Sequence, residues 1–139
     1  MRLVVGISGS SSPIYGIRTL EALADAGVET HLVISRDAQR TIALETTWTI
    51  KKVQALAAVV YDDQDMAAAI SSGSFRTDGM VVAPCSMKTV SAIAYSFVTD
   101  LLVRAAGEAR DREITESYNR VFRNRSARTE QKRMTREVY

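Results

Sequence analysis

The 139-residue chain holds one cysteine, one histidine, one tryptophan and two prolines. A single cysteine excludes an internal disulfide, and nothing in its setting points to an oxidising compartment. One cysteine and one histidine are too few for a structural zinc site built from nitrogen and sulfur ligands. They also leave a Ser-His-Asp triad only one route, through His31. That residue lies in Glu29-Thr30-His31-Leu32-Val33-Ile34-Ser35, which has the pattern of a strand, so a structural role is the better reading. No apolar run approaches the roughly 20 residues of a membrane span. The first residues run directly into a strand, without the basic and apolar regions of a signal peptide, and a cytoplasmic protein is the expectation.

What is present is ordinary for one globular domain: 46% hydrophobic and 24% charged residues. The net charge of +2 says little, but half of the 18 Lys and Arg fall after Ala106. Such asymmetry is one mark of a nucleic-acid arm. The arginines there alternate with acids and few aromatics interleave, which argues against it.

The stretch from Leu3 to Gly16 organises the chain. Leu3-Val4-Val5-Gly6-Ile7 reads as a strand, Ser8-Gly9-Ser10-Ser11-Ser12 as a turn, and a helix begins near Pro13. Gly6 and Gly9 permit close approach of a ligand to the main chain. The helix directs its unpaired N–H groups and partial positive charge at the turn, an arrangement suited to phosphate. The pattern is neither that of the phosphate loop of nucleoside triphosphatases, since no Lys follows the second Gly, nor a clean dinucleotide fingerprint. A tight turn without ligand stays open on these residues alone. Asp78 to Val90 repeats the logic: an apolar strand, a turn with Ser86, Lys88 and Thr89, then a helix. In one parallel sheet both turns would lie at the carboxyl edge, where ligands bind at a reversal of strand order.

In order, the periodicity predicts strands at 2–7 and 28–34 and helices at 14–26 and 36–46, with Gly27 closing the first helix. Thr49 has the character of an N-cap for a short helix through Gln54. Residues 56–61 fit a third strand or the end of that helix. Asp62 to Asp65 are placed to open a helix over 63–70, and 71–75 read as loop. The 79–84 segment is the most apolar strand, as suits a central parallel position. Helices follow from Thr89 and from Asp100, and an amphipathic helix is expected over 108–123. Beyond Asn124 the apolar residues are sparse, giving a frayed or disordered tail.

Several of these stretches together resemble the UbiX/Pad1 family of flavin prenyltransferases, in the branch associated with non-oxidative hydroxyarylic acid decarboxylases. They are Val5-Gly6-Ile7-Ser8-Gly9-Ser10-Ser11 with Ile14-Tyr15-Gly16, Glu29 to Ser35, Glu45-Thr46, Ile70 to Phe75, Thr77 to Met80, Pro84-Cys85-Ser86-Met87-Lys88-Thr89, and Arg104-Ala105-Ala106. The resemblance covers about residues 1–106. It implies an α/β, Rossmann-like three-layer fold with a parallel sheet, here truncated at the C-terminal side. An FMN-binding domain over 1–106 would be followed by an atypical charged helix and tail over 107–139. It further implies FMN held in a homo-oligomer, trimer or dodecamer. The implied reaction moves a dimethylallyl group from dimethylallyl phosphate to reduced FMN without a metal, and the product passes to a UbiD-type decarboxylase.

Residue by residue, the resemblance implies flavin contacts at Gly9, Ser10, Ser11, Ser35, Ser86, Met87, Lys88 and Thr89. It places Ser11 beside the flavin N5 and gives Glu45 an acid/base role near the allylic phosphate. Without it, Glu45 reads as a solvated helix residue, and Lys88 stays open between balancing phosphate charge and a solvated helix lysine. Cys85, between an apolar strand and a turn, reads as a small packing residue rather than a nucleophile, and Trp48 as a packing or subunit-contact residue. The chain departs from the family at Ser10, Ser12 and Pro13, where Ala, Gly and Ala are usual; Ser12 is costly if that position needs a positive φ. After Ala106 the family's later strands, its Pro-Arg-Glu motif and its late Tyr and Arg have no counterpart. Lys88, Arg104 and a tail arginine, Arg110 or Arg112, are then the nearest substitutes at the substrate phosphate. The 79–84 strand, lacking those later neighbours, is expected at a sheet edge. An FMN-binding, oligomer-forming protein with weak transfer chemistry is the alternative reading.

Overall fold

A computed structural model describes residues 1–113. The chain divides into two compact units, Met1–Ala109 and Arg110–Tyr139.

The first unit is built on four parallel strands: β1 (Arg2–Ile7), β2 (Glu29–Ile34), β3 (Val59–Tyr61) and β4 (Gly79–Val82), in the order β3-β2-β1-β4. β1 and β2 read as almost continuous apolar runs because both faces of the sheet are covered. Alternation sorts the side chains. Val5, Ile7, Leu32 and Ile34 face α1 (Ile14–Asp25), α2 (Arg36–Glu45) and α3 (Ile50–Gln54), meeting Ile17, Leu20, Ile42 and Val53 in one core. Val4 and Val33 face the other way, onto Ala68, Ile70, Leu101, Leu102 and Ala105. This gives the expected three layers, the third supplied by the helical stretch that carries Leu101, Leu102 and Ala105.

Local signals act as the sequence suggests. Gly27 stands at φ +69° just past α1, and the Val28 and Gly27 N–H groups return to the Leu23 and Ala24 carbonyls, a Schellman ending. The Thr49 hydroxyl caps α3 by accepting from the Lys52 N–H at 3.3 Å. Residues 59–61 resolve as strand. α4 (Met87–Ala94) begins two residues before Thr89, because the Ser86 hydroxyl caps it.

Two expectations fail. Residues 63–70 are not a helix but a run of turns ending in a single 3₁₀ turn at Ala69–Ser71. The Asp62 and Asp65 carboxylates accept from the N–H groups of Gln64 and Ala67, two residues on. These local bonds compete with helix formation instead of nucleating it. The Asp63 backbone carbonyl and carboxylate are turned to the helix at 101–113, accepting from the Leu101 and Leu102 N–H groups at 2.9 and 3.2 Å. The other failure concerns the 79–84 stretch. Its apolar composition suggests a central strand, yet β4 pairs only with β1 and ends the sheet among the described residues, as the absence of later strands implies. It stops at Val82, before a cis Ala83-Pro84 bond. The helix expected over 108–123 is present through 113; the rest of it, and the tail after 124, lie outside the described residues.

His31 is a structural histidine. It is 3% exposed, with Nδ1 2.8 Å from the Tyr61 hydroxyl and Nε2 2.8 Å from Glu29 Oε1. Arg2 completes the line by donating to Glu29 at 2.8 Å, and its guanidinium lies over the Phe75 ring. Arg2 and His31 together hold the Glu29 carboxyl below its usual range.

Candidate functional site

From β1 the chain moves outward through β2 to β3, then crosses back to place β4 on the other side of β1. The reversal falls between β1 and β4, and their carboxyl ends carry the two turns singled out in the sequence. Ser8, 1% exposed, joins them: its hydroxyl donates to the Pro84 carbonyl at 3.0 Å and accepts from the Ser86 N–H at 2.7 Å. The second turn is therefore fixed to the first by one buried side chain.

α2 closes the other flank. Ser35 ends β2, and its hydroxyl accepts from the Ala38 N–H at 3.1 Å, capping α2. A Cβ at Gly9 would collide with the Asp37 side chain, so Gly9 is what lets the turn lie against the first turn of α2. Asp37 in turn faces the Lys88 ammonium at 4.0 Å. Gly16 plays the same part for α1, since a Cβ there would strike the Ala83 carbonyl oxygen and the Ile7 side chain. The N-termini of α2 and α4 thus flank the serine turn, each with first-turn N–H groups that its capping serine does not use.

The hydroxyls divide into two sets. Those of Ser8, Ser35, Ser86 and Thr89 are committed to internal bonds. Those of Ser10, Ser11 and Ser12, and the Ser11 N–H, have no partner among the described residues, and Ser11 and Ser12 are exposed. A polar, solvent-facing turn between two helix N-termini is a fitting cradle for a phosphate.

Glu45, the last residue of α2, reaches this turn: its Oε2 accepts from the Ser12 N–H at 2.8 Å. Ser12 has φ +63°, the left-handed conformation that is costly for a residue other than glycine. Met87 and Lys88 are exposed at the start of α4 and Thr89 is buried as part of the cap. Cys85 is half-buried and burial pushes its thiol up, only partly countered by a hydrogen bond with Ser8, which fits a packing residue.

Arg104 is placed differently from the expectation. Its Nε donates to the Ser71 carbonyl at 3.0 Å and its Nη2 pairs with Glu108 at 2.7 Å. Its donors tie the helix to the 69–75 loop rather than to either turn. Asp37 is a residue of the candidate site that the sequence reading passes over, and Ser8 is read there only as one serine of the turn, not as the bond between the two turns. The Asp37 signal is legible, an acid two residues after a capping serine; that of Ser8 is not, because its bonds cross 76 residues or more.

Beside Lys88, α4 borders an open groove of about 460 Å³ lined by Ser91, Ala92, Tyr95, Phe97 and Thr99. Met87, Val90, Tyr95, Phe97 and Val98 are all exposed around it. An apolar area of this kind marks a binding or association surface. Among the described residues, no three His, Cys, Asp or Glu side chains cluster as metal ligands, and no helix is long and apolar enough to cross a membrane.

A family model described as Flavoprotein matches residues 1–114. The chain belongs to the flavoprotein family. It is 59% identical over 109 residues to the flavin prenyltransferase UbiX of Thauera aromatica, covering 78% of this chain and 56% of that relative. It is 56% identical over 106 residues to the UbiX of Escherichia coli, covering 76% of this chain and 56% of the relative. The chain therefore spans little more than half the length of these curated relatives. Among solved structures, AnUbiX in complex with FMN and dimethylallyl pyrophosphate superposes with a TM-score of 0.76 at 50% identity, over 77% of this chain and 57% of that one. A dodecameric FMN-dependent UbiX-like decarboxylase from Escherichia coli gives 0.76 at 48% identity, over 78% and 60%. The Rossmann-like α/β fold of this flavoprotein is shared with both.

Proposed function

We propose that this flavoprotein binds FMN at the β1–β4 switch point and works as a flavin prenyltransferase. In this reading it transfers a dimethylallyl group from dimethylallyl phosphate to reduced FMN and supplies the product to a UbiD-type decarboxylase. The observation that carries the proposal is the pair of turns locked by Ser8, with the free hydroxyls of Ser10 to Ser12 between two helix N-termini. The similarity to UbiX proteins, one of them solved with FMN and an allylic diphosphate, supports the same assignment.

The chain's own residues divide the work. Gly9, Ser10 and Ser11 offer close backbone approach, hydroxyls and N–H groups to the flavin. Ser35 and Ser86 hold α2 and α4 so that their N-termini face it, with Met87, Lys88 and Thr89 completing the second turn. Ser11 is the flavin-side hydroxyl and Glu45 the acid/base group. Lys88 supplies positive charge to a departing phosphate. Positioning contributes much of the rate in such a transfer. Bound FMN supplies the nucleophilic ring; the protein supplies orientation and exclusion of water.

A homo-oligomer belongs to this reading, supported by the apolar face around α4, the open edge of β4 and the dodecameric relative. So does a cytoplasmic setting, where reduced flavin is available. The position of Arg104, turned to Ser71 and Glu108, favours the second reading in one respect: FMN binding outlasts efficient transfer. Incubation with FMN, a reductant and dimethylallyl phosphate, followed by mass measurement of the flavin, tests the proposal. A flavin heavier by one prenyl group is expected. Unchanged FMN that stays bound would leave only the binding reading, and no uptake of FMN would overturn both.

A further inference from the structure

Ser12 and Glu45 are each unfavourable where they stand. A non-glycine residue at φ +63° is in a region that costs L-residues energy. A carboxylate on the last residue of a helix faces the negative end of the helix dipole. One charge-assisted hydrogen bond, Ser12 N–H to Glu45 Oε2 at 2.8 Å, holds the two together. The N–H that Glu45 occupies belongs to the same turn whose remaining hydroxyls stand free, and it is a donor that an incoming phosphate would use.

We propose that Glu45 is an internal anion for the serine turn: it holds the Ser12 N–H in the ligand-free protein, and a phosphate-bearing ligand must displace it. This rests on the reading of the turn as the site of the flavin and of the phosphate-bearing ligand beside it. Two anions cannot share one N–H donor at hydrogen-bond distance, so ligand binding and the Ser12–Glu45 bond exclude each other. Displacement leaves the Glu45 carboxylate beside the bound ligand and free of its partner, able to exchange a proton with it. The contact thereby makes release of the carboxylate conditional on occupancy of the site. The anchored N–H also offsets the cost of the left-handed backbone at Ser12.

Two measurements test this. In the ligand-free, ¹⁵N-labelled chain, the Ser12 amide proton is expected far downfield. It should move upfield in Glu45→Gln, whose amide oxygen is a weaker acceptor, and also in Glu45→Asp, which is too short to reach. FMN binding is then followed by flavin fluorescence, and inorganic phosphate binding by its competition with FMN or by calorimetry. Removing the competing charge should tighten both ligands about fivefold in Glu45→Gln, the difference between a charged and a neutral acceptor. An unshifted Ser12 amide, or equal or weaker binding in Glu45→Gln when the parent protein takes up FMN, overturns the proposal while leaving the FMN assignment standing. If the parent protein takes up no FMN, the FMN assignment falls, and inorganic phosphate alone decides the competition. Tighter phosphate in Glu45→Gln supports it, and no tightening or no binding overturns it.

Discussion

Replacing Asp63 with Asn should make the protein more stable near neutral pH. The side chain is 6% exposed and its carboxylate caps the helix at 101–113 through the Leu102 N–H. Burial pushes its carboxyl up from 3.8 to about 6, helped by the nearby Asp100 charge and opposed by the Leu102 N–H. A carboxyl whose folded value lies above its unfolded value binds more protons in the native state. Stability is therefore fully present below 3.8, falls as pH rises through the window up to about 6, and is level above it. A rise of that size corresponds to about 3 kcal/mol, an upper figure for a site that retains one hydrogen bond. Asn keeps the acceptor for Leu102 and removes the charge, so a gain of about 1–3 kcal/mol is expected at pH ~7.5. Urea titrations followed by Trp48 fluorescence across this range provide the assay. The parent protein should lose stability from acid to neutral pH, and the Asn variant should show a flatter profile. Glu29, with its carboxyl held low, acts in the opposite sense and only at more acid pH. An Asn variant with the parent's pH slope, or one less stable at neutral pH, would refute the argument that the Asp63 charge is an unfavourable burial.

Ser11→Trp should abolish FMN retention on gel filtration while leaving the far-ultraviolet dichroism unchanged, since Ser11 is exposed and free of internal bonds; retention at the parent level would count against the turn as the flavin site. Leu102→Ala should cost about 2–5 kcal/mol in the same urea assay, because the side chain is 1% exposed and packs against Gly6. Light scattering should show a species larger than a monomer, and Tyr95→Glu with Phe97→Glu should dissociate it; a monomeric parent protein would remove the α4 face from consideration as a subunit contact.

The fold was legible where local and tertiary demands agree. Strands β1 and β2, the Gly27 ending and the Thr49 cap are written in short-range pattern and chemistry. The 63–70 segment misleads because Asp can open a helix or close its own turn, and what decides is the distant helix that Asp63 caps. Of the candidate site, Glu45 was singled out by the resemblance alone, whereas the two turns were legible as strand-to-helix turns. What joins them, the buried Ser8 hydroxyl and the Gly9–Asp37 approach, spans strands separated widely in sequence, and no local pattern reports it. Arg104 looked available for phosphate only because Ser71 and Glu108 could not be placed beside it.

The strand order sets a timetable during synthesis. β1 pairs with β2 on one side and β4 on the other, and about 45 residues separate the end of β2 from the start of β4. At ~5–20 residues per second the ribosome needs several seconds to supply them. Throughout that interval the first six-residue strand of the nascent chain has one satisfied edge and one open edge. Val4 waits longer still for Leu101 and Leu102, which are made after β4. The β1–β2 pair is thus the segment most exposed to capture by a holdase or by another nascent chain. A translation pause before Gly79 should lower the soluble yield more than an equal pause after Ala106.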